Sequence, residues 1–372
     1  MTQSVRARFP SLIHAFRRLL PGRSRAGVGP SRPRRWAALL FAAVLAGCAG
    51  QRSPSLEPDL PAVPGIQAAD DGTHQWQDFD WRDPQRGRAV PVRLYWPQGA
   101  APAAGWPVIV FSHGMGGTRR GYSYLGRYWA SQGFVALHVQ HVGSDRRLWE
   151  GGFSWTNSLN LVLRLQQAAQ PQEAIDRTQD MRFALDQLLK GPLAGQLDPQ
   201  RIVAAGHSYG ANTSLLLAGA QVADVHRFGG DGAPTALRDP RIRAAILISA
   251  PPFYGEGDPT PIVGSIGIPT LHISATQDEI RIPGYYSGAE DRVQLFDAIG
   301  GPHKALAMFS GGSHSMFTDR LNTGGETLNP QVKRATRELS LAYLRWVLDG
   351  DEAPLREWRA RHAALLARWQ GP

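Results

Sequence analysis

Residues 88–96 place Val90, Val92, Leu94 and Trp96 on every second position, and residues 74–83 set Trp76, Phe79 and Trp81 among polar neighbours. This alternation predicts two antiparallel strands with one wet face. After a turn at 97–104 the pattern changes. Residues 106–111 run apolar without a break, as in a strand buried on both faces. Beyond it the chain alternates between helical and extended periods. The pattern predicts helices over 119–132, 172–190 (ended by Pro192), 289–299, 330–349 and 353–369. Strands are expected at 134–140, 202–205, 242–248, 268–274 and 304–309. Strands alternating with helices imply an α/β fold: a mostly parallel central sheet, helices on both faces, and an antiparallel N-terminal strand pair. No internal repeat is visible. Residues 142–170 are the least regular stretch and carry Trp149, Phe153 and Trp155. They read as a cap or pocket wall above the strand ends, or as an ordinary packed loop.

Three strand ends carry chemistry. The run 202–205 meets Gly206-His207-Ser208-Tyr209-Gly210, and a helix-compatible apolar segment follows. Strand, tight turn and helix with a serine at the apex describe a nucleophile elbow, which lifts the serine oxygen out of the sheet. Asp278 leaves the C-terminal end of the strand at 268–274, and His314 sits in a glycine-rich loop after 304–309. Open α/β sheets place their active groups at such ends. A serine hydroxyl is a weak nucleophile at neutral pH. It needs an imidazole to take its proton, and an acid to fix the tautomer of that imidazole. Ser208, Asp278 and His314 are therefore the expected triad. Glu279 and Asp291 are the alternative acids. His272 falls inside a strand and His303 at the start of one, so His314 is preferred, and Asp319 is too far along. His113 is expected to be a structural hydrogen-bonder. His138 and His141 face opposite ways on an extended segment and do not suggest a metal pair.

Charge alters the picture less than it first suggests. The 372 residues carry a formal net charge of +9, yet residues 1–47 hold nine arginines and no acid. Removing those nine leaves 31 basic against 31 acidic residues, so the rest is formally neutral and nucleic acid is not an expected partner. Arg34-Arg35 precede an apolar run over 36–46 that ends in Gly47-Cys48, the single cysteine. A basic region, a short apolar region and small residues describe a secretory signal, too short to span a bilayer comfortably. Leu45-Ala46-Gly47-Cys48 also resembles the lipobox of bacterial lipoproteins, which implies cleavage before Cys48 and its acylation. The expected organisation is a signal at 1–47, a Pro- and Ser-rich tether at 48–70 and a catalytic domain at 71–372. The implied location is the bacterial cell envelope.

Ser112-His113-Gly114-Met115-Gly116-Gly117 resembles the HG-x-G-G loop of lipases and esterases, which implies oxyanion-hole donors at the backbone N–H groups of Met115 and Tyr209. With Phe111, that loop, Tyr122-Ser123-Tyr124, Ser131-Gln132-Gly133-Phe134-Val135, the segment Asp180-Met181-Arg182-Phe183-Ala184-Leu185-Asp186 and the elbow are similar to one α/β-hydrolase branch. It is the platelet-activating-factor acetylhydrolase and bacterial dienelactone-hydrolase-like branch, and the similarity covers roughly residues 75–345. It implies an α/β-hydrolase fold and hydrolysis of a small or lipid-like ester through a Ser-His-Asp triad, with no cofactor. Dienelactone hydrolases carry cysteine where this chain has Ser208, and Ala211 replaces a frequent glycine. The acetylhydrolases place their acid after an earlier strand, whose end here reads Ala250-Pro251-Pro252 without a carboxylate. That favours Asp278. A serine peptidase of the same fold and a non-catalytic binding lipoprotein are the competing readings.

Overall fold

The alternating segments form β1 (His74–Asp83) and β2 (Arg88–Pro97), paired antiparallel from His74 opposite Pro97 to Asp83 opposite Arg88. The structure, a computed structural model, describes residues 73–149, 164–165, 167–221, 237–252, 257–282, 285–321 and 323–372. The expected signal at 1–47, Cys48, the tether at 48–70 and most of the candidate cap (150–163 and 166) lie outside the described residues.

Continuing along the chain are β3 (Trp106–Ser112), α1 (Ser123–Ser131), β4 (Val135–Val139), α2 (Pro171–Lys190), β5 (Leu197–His207) and α3 (Tyr209–Ala218). Then come β6 (Ile242–Ile248), the single turn α4 (Thr260–Val263), β7 (Thr270–Gln277), β8 (Ile280–Ile282), β9 (Tyr285–Ser287) and α5 (Ala289–Ala298). The described chain closes with β10 (Ala305–Ser313), α6 (Gly325–Asp349), α7 (Ala353–His362) and β11 (Leu366–Gln370). Among the described residues nine strands make one sheet in the order β1-β2-β4-β3-β5-β6-β7-β10-β11. The pairs from β4 through β10 are parallel, while β1, β2 and β11 run antiparallel to their neighbours. The α/β architecture with an antiparallel N-terminal pair is therefore present.

The period of two in each central strand divides the core. Ile109 and Phe111 of β3, Val203 and Ala205 of β5, and Ile246 and Ile248 of β6 face α1, α6 and α7 in one apolar cluster. Val108, Val110, Ile202 and Ala204 face α2 on the other side, with Met181, Leu185 and Leu188. Strands with both faces covered must be apolar throughout, which is why β3 is buried at all seven positions. The order β4-β3-β5 means that the chain leaves β3 toward one side of the sheet and leaves β5 toward the other. Their C-terminal ends diverge there, opening the crevice in which such sheets bind ligands.

Several boundaries differ from the periodicity; the strands expected at 202–205 and 268–274, for example, run over Leu197–His207 and Thr270–Gln277. The first helix starts at Ser123 rather than 119, because Tyr122 adopts a left-handed conformation (φ 60°) and Asp319 Oδ2 accepts the Ser123 N–H from outside at 2.9 Å. The helix expected from 330 starts at Gly325 and contains Pro330. The helix expected over 353–369 stops at His362, and β11 pairs with the otherwise open edge of β10, with the Trp369 ring tilted against Trp358 at 5.5 Å between centroids. Edge pairing overrides the helical propensity of Ala and Leu there. The strand expected at 304–309 is thus not the last one, and it continues to Ser313 through Gly311 and Gly312, both at positive φ, with a shift of register. Among the described residues no helix is long and apolar enough to cross a membrane.

Among the described residues, His113, His138, His141, His207 and His272 are buried, within strands of the central sheet or close to their ends. Burial disfavours their charged forms. It lowers His138, His207 and His272 to about 3, and His113 and His141 well below the ordinary 6.5. Between pH 6.5 and about 3 the unfolded chain therefore binds protons that the native chain refuses. Stability falls as pH drops through this window, by up to about 1.4 kcal/mol per pH unit for each histidine. Glu173, Asp180 and Asp319, shifted upward by burial, offset part of that slope. Urea unfolding should show a steady fall from pH 7 to pH 5. His138→Phe, which keeps a ring beside Phe111, should reduce the slope by about one proton; a slope unchanged by that substitution would contradict the assignment.

Candidate active site

The serine of the elbow sits between β5 and α3 at φ 56° and ψ −120°. This conformation is unfavourable for a residue with a side chain and is stored only where the surroundings impose it. Its N–H bonds the Ile248 carbonyl at 2.9 Å, so the sheet holds the backbone up to the turn. A Cβ at Gly206 would overlap the Gly210 carbonyl, and one at Gly210 would overlap the Ser112 carbonyl. Both glycines are required by close approach, and the second presses the elbow against the end of β3.

The structure brings Ser208, His314 and Asp278 into one hydrogen-bonded line. His314 Nε2 lies 2.8 Å from Ser208 Oγ, and His314 Nδ1 lies 2.7 Å from Asp278 Oδ1. Each leaves the C-terminal end of a strand: Ser208 follows β5, Asp278 follows β7, and His314 follows β10. Asp278 is fully buried, and four donors reach its two oxygens. His314 and Arg292 Nη2 (3.3 Å) approach Oδ1; the hydroxyls of Ser249 (2.5 Å) and Ser274 (2.7 Å) donate to Oδ2. Burial by itself would raise this carboxyl. The hydrogen bond and charge of His314, the Arg292 guanidinium and the Ser249 hydroxyl outweigh it and hold the group well below the usual carboxylate range.

The other candidates lie elsewhere. Glu279 is exposed and pairs with Arg281 at 2.6 Å, while Asp291 accepts the Gly288 N–H at 2.8 Å at the start of α5. His272 packs on Phe296 and His303 on Trp346. Asp319 caps α1. His138 stacks on Phe111, on the opposite side of its strand from His141, whose Nδ1–H donates to Asp180 Oδ2 at 3.1 Å.

Met115 lies half-buried in the loop after β3, and Tyr209 is the first residue of α3. The loop is held from three sides. His113 Nδ1–H donates to the Gly114 carbonyl at 2.7 Å, and the Gly117 N–H donates to the same oxygen at 3.0 Å. His113 Nε2 accepts the His141 N–H at 3.1 Å. In a trans peptide the N–H points opposite to the carbonyl, so these two bonds turn the Met115 N–H away from His113. A Cβ built on Gly114 would lie 3.3 Å from Ser208 Cβ, which puts the loop directly beside the elbow.

Sequence reasoning missed the supports. Arg177 of α2 is fully buried and donates to Ser112 Oγ (2.9 Å), Ser144 Oγ (2.7 Å), Thr213 Oγ1 (3.0 Å) and the His113 carbonyl. Its guanidinium lies 4.4 Å from the centre of the Tyr209 ring. Ser144 donates to Glu173, and Asp180 pairs with Arg86 and Arg88. Arg177 carried no signal in the sequence beyond its place on the helix that leads into the Asp180 segment. Ser249, at the end of β6 with φ 51°, and Arg292 of α5 carried none either.

With this geometry in view, comparison with known proteins gives two results. Residues 88–148, which run from β2 through the glycine-rich loop to the segment after β4, match the family model described as platelet-activating factor acetylhydrolase, isoform II. A platelet-activating factor acetylhydrolase of Cavia porcellus is 21% identical over 304 residues, which is 71% of this chain and 62% of that protein. The chain thus spans less than two thirds of the length of this curated relative, and it is similar to an acetylhydrolase family over the part of the sheet that carries the glycine-rich loop.

Proposed function

We propose that this protein is a serine carboxylic-ester hydrolase acting on a lipid-like ester. The observation that carries the reading is the line Ser208 Oγ–His314 Nε2, His314 Nδ1–Asp278, built on a strained turn. The similarity to acetylhydrolases supports ester rather than amide chemistry.

In this reading Ser208 Oγ attacks the ester carbonyl carbon while His314 Nε2 takes the hydroxyl proton. The carbonyl π electrons move onto oxygen. The resulting oxyanion is held by the N–H groups of Met115 and Tyr209, the latter at the N-terminus of α3. Collapse expels the alcohol, which receives the proton from His314 and leaves an acyl-Ser208. Water then attacks with His314 as base and releases the carboxylic acid. Asp278 keeps the Nδ1–H tautomer and stabilises the imidazolium at each stage; its four donors keep it ionised and fixed in place. Tyr209, buried against Arg177, has a rigid backbone from which to donate.

The same reading places the enzyme on a membrane surface through acylated Cys48, with residues 48–70 as the tether and residues 1–47 removed. Such an anchor would bring the mouth of the site close to lipid-like esters.

A fluorophosphonate probe should label the wild-type chain and leave Ser208→Ala unlabelled; equal labelling of both would remove Ser208 from its role. Asp278→Asn, which offers His314 the wrong tautomer partner, should lower kcat on p-nitrophenyl esters by about 10⁴-fold. Cleavage of peptide anilides in preference to those esters would move the protein to the peptidase class. Expressed in a host that processes lipoproteins, the protein should incorporate labelled palmitate and sediment with membranes. Cys48→Ser should lose both properties, and palmitate retained by that variant would overturn the anchor.

A further inference from the structure

Tyr122 and His207 take no part in the chemistry above, yet both are buried against it. Tyr122 Oη lies 3.3 Å from the Gly114 N and 2.8 Å from His207 Nδ1; His207 Nε2 lies 3.0 Å from the His314 carbonyl. The direction of every hydrogen follows from its ends. The Gly114 N–H can only donate, so the tyrosine oxygen accepts it. The His314 carbonyl can only accept, so His207 carries its hydrogen on Nε2. The Nδ1 of a neutral His207 is then a lone pair, and it receives the one hydrogen of Tyr122.

We infer that Tyr122 and His207 are positioning residues: their relay, Gly114 N–H to Tyr122 O–H to His207 Nδ1 and His207 Nε2–H to His314 C=O, locks the oxyanion loop, the elbow and the base together. This rests on the hydrolase reading of Ser208 and His314. Three segments from three strand ends meet in the relay, and each moves independently in sequence. Gly114 adjoins the proposed donor Met115, His207 adjoins Ser208, and the third contact falls on the backbone of the base itself. The rings add packing to the hydrogen bonds. Tyr122 lies 4.8 Å from Phe111 and 5.4 Å from His207, and His207 lies 4.7 Å from His314. Gly114 has no side chain because a Cβ there would come within 3.1 Å of His207 Nδ1 and 3.2 Å of Tyr122 Oη. Tyr122 itself is held at φ 60°, a conformation that costs a residue with a side chain and that clusters where function requires it. A neutral His207 also avoids a second cation behind the ring of His314 when that ring takes the serine proton.

The test reads fluorophosphonate labelling of Ser208 under saturation, because it needs nucleophile, base and oxyanion hole but no knowledge of the natural ester. Tyr122→Phe and His207→Leu should lower the maximal labelling rate by about ten- to a hundredfold, with the half-saturating probe concentration changed by less than about twofold. His207→Gln can accept at its oxygen and donate from its nitrogen, and should keep the rate within about threefold of wild type. The double variant Tyr122→Phe/His207→Leu should be no slower than the slower single one, since both break one relay. Unfolding midpoints restrict the comparison to folded protein, and if Tyr122→Phe does not fold, His207→Gln against His207→Leu decides. A folded Tyr122→Phe or His207→Leu that labels at the wild-type rate would overturn the relay, as would His207→Gln behaving like His207→Leu. A wild-type chain that does not label at all would overturn the hydrolase reading and the relay with it.

Discussion

A serine at φ 56° and ψ −120° lies of order 1–3 kcal/mol above relaxed backbone, and the surrounding structure must hold it there. The sheet does so from one side through the Ser208 N–H, which pairs with Ile248. The helix does so from the other, since α3 begins at the next residue. Gly206 and Gly210 let the two halves of the turn touch, and Gly210 lets the turn touch the end of β3. The constraint therefore extends beyond the elbow. It needs β3 and β5 to be neighbours whose chains leave in opposite directions, and the strand order supplies that.

Around this turn the protein buries charge in two places, and each group of charges bears on geometry more than on net stability. Buried ion pairs recover little of their desolvation cost, but breaking one leaves a charge that neither water nor a partner satisfies. Asp278 occupies one such place, with two hydroxyls, a guanidinium and the imidazole filling its oxygens. Arg177 occupies the other, joining the end of β3, the His113 carbonyl, Ser144 and Thr213 of α3. Shifting the loop or the elbow would strand these groups. The relay through Tyr122 and His207 connects the same segments with neutral partners.

The elements legible in the sequence were those whose period reflects burial. Ile109, Phe111 and their even-numbered neighbours face two different cores, so an unbroken apolar run was enough to recognise β3. The candidate triad was legible for a related reason: Ser208, Asp278 and His314 each follow directly on a strand. The edge strand β11 was not, because Leu366–Gln370 follows directly on helical residues and becomes a strand only through the open side of β10. The β8–β9 hairpin after Asp278 was equally silent, being three residues on each side. At the end of β6 the sequence showed no carboxylate and pointed onward to β7; the fold puts the hydroxyl of Ser249 there, donating to the carboxylate of Asp278.

The chain alone determined the order of the central strands and the helices between them, the glycines that permit the turn, and the separate strand ends that carry Ser208, Asp278 and His314, because these depend on local period and on residue type. Which side chains hold those groups in place was decided only in three dimensions. Arg292 lies 14 residues from Asp278, Arg177 lies 65 from Ser112, and Tyr122 lies 85 from His207. No local pattern links such pairs, since each hydrogen bond exists only after the sheet has brought distant strand ends together. The strained elbow at Ser208 belongs to both accounts: its glycines are written in the sequence, and its φ of 56° is imposed by the neighbours that the fold supplies.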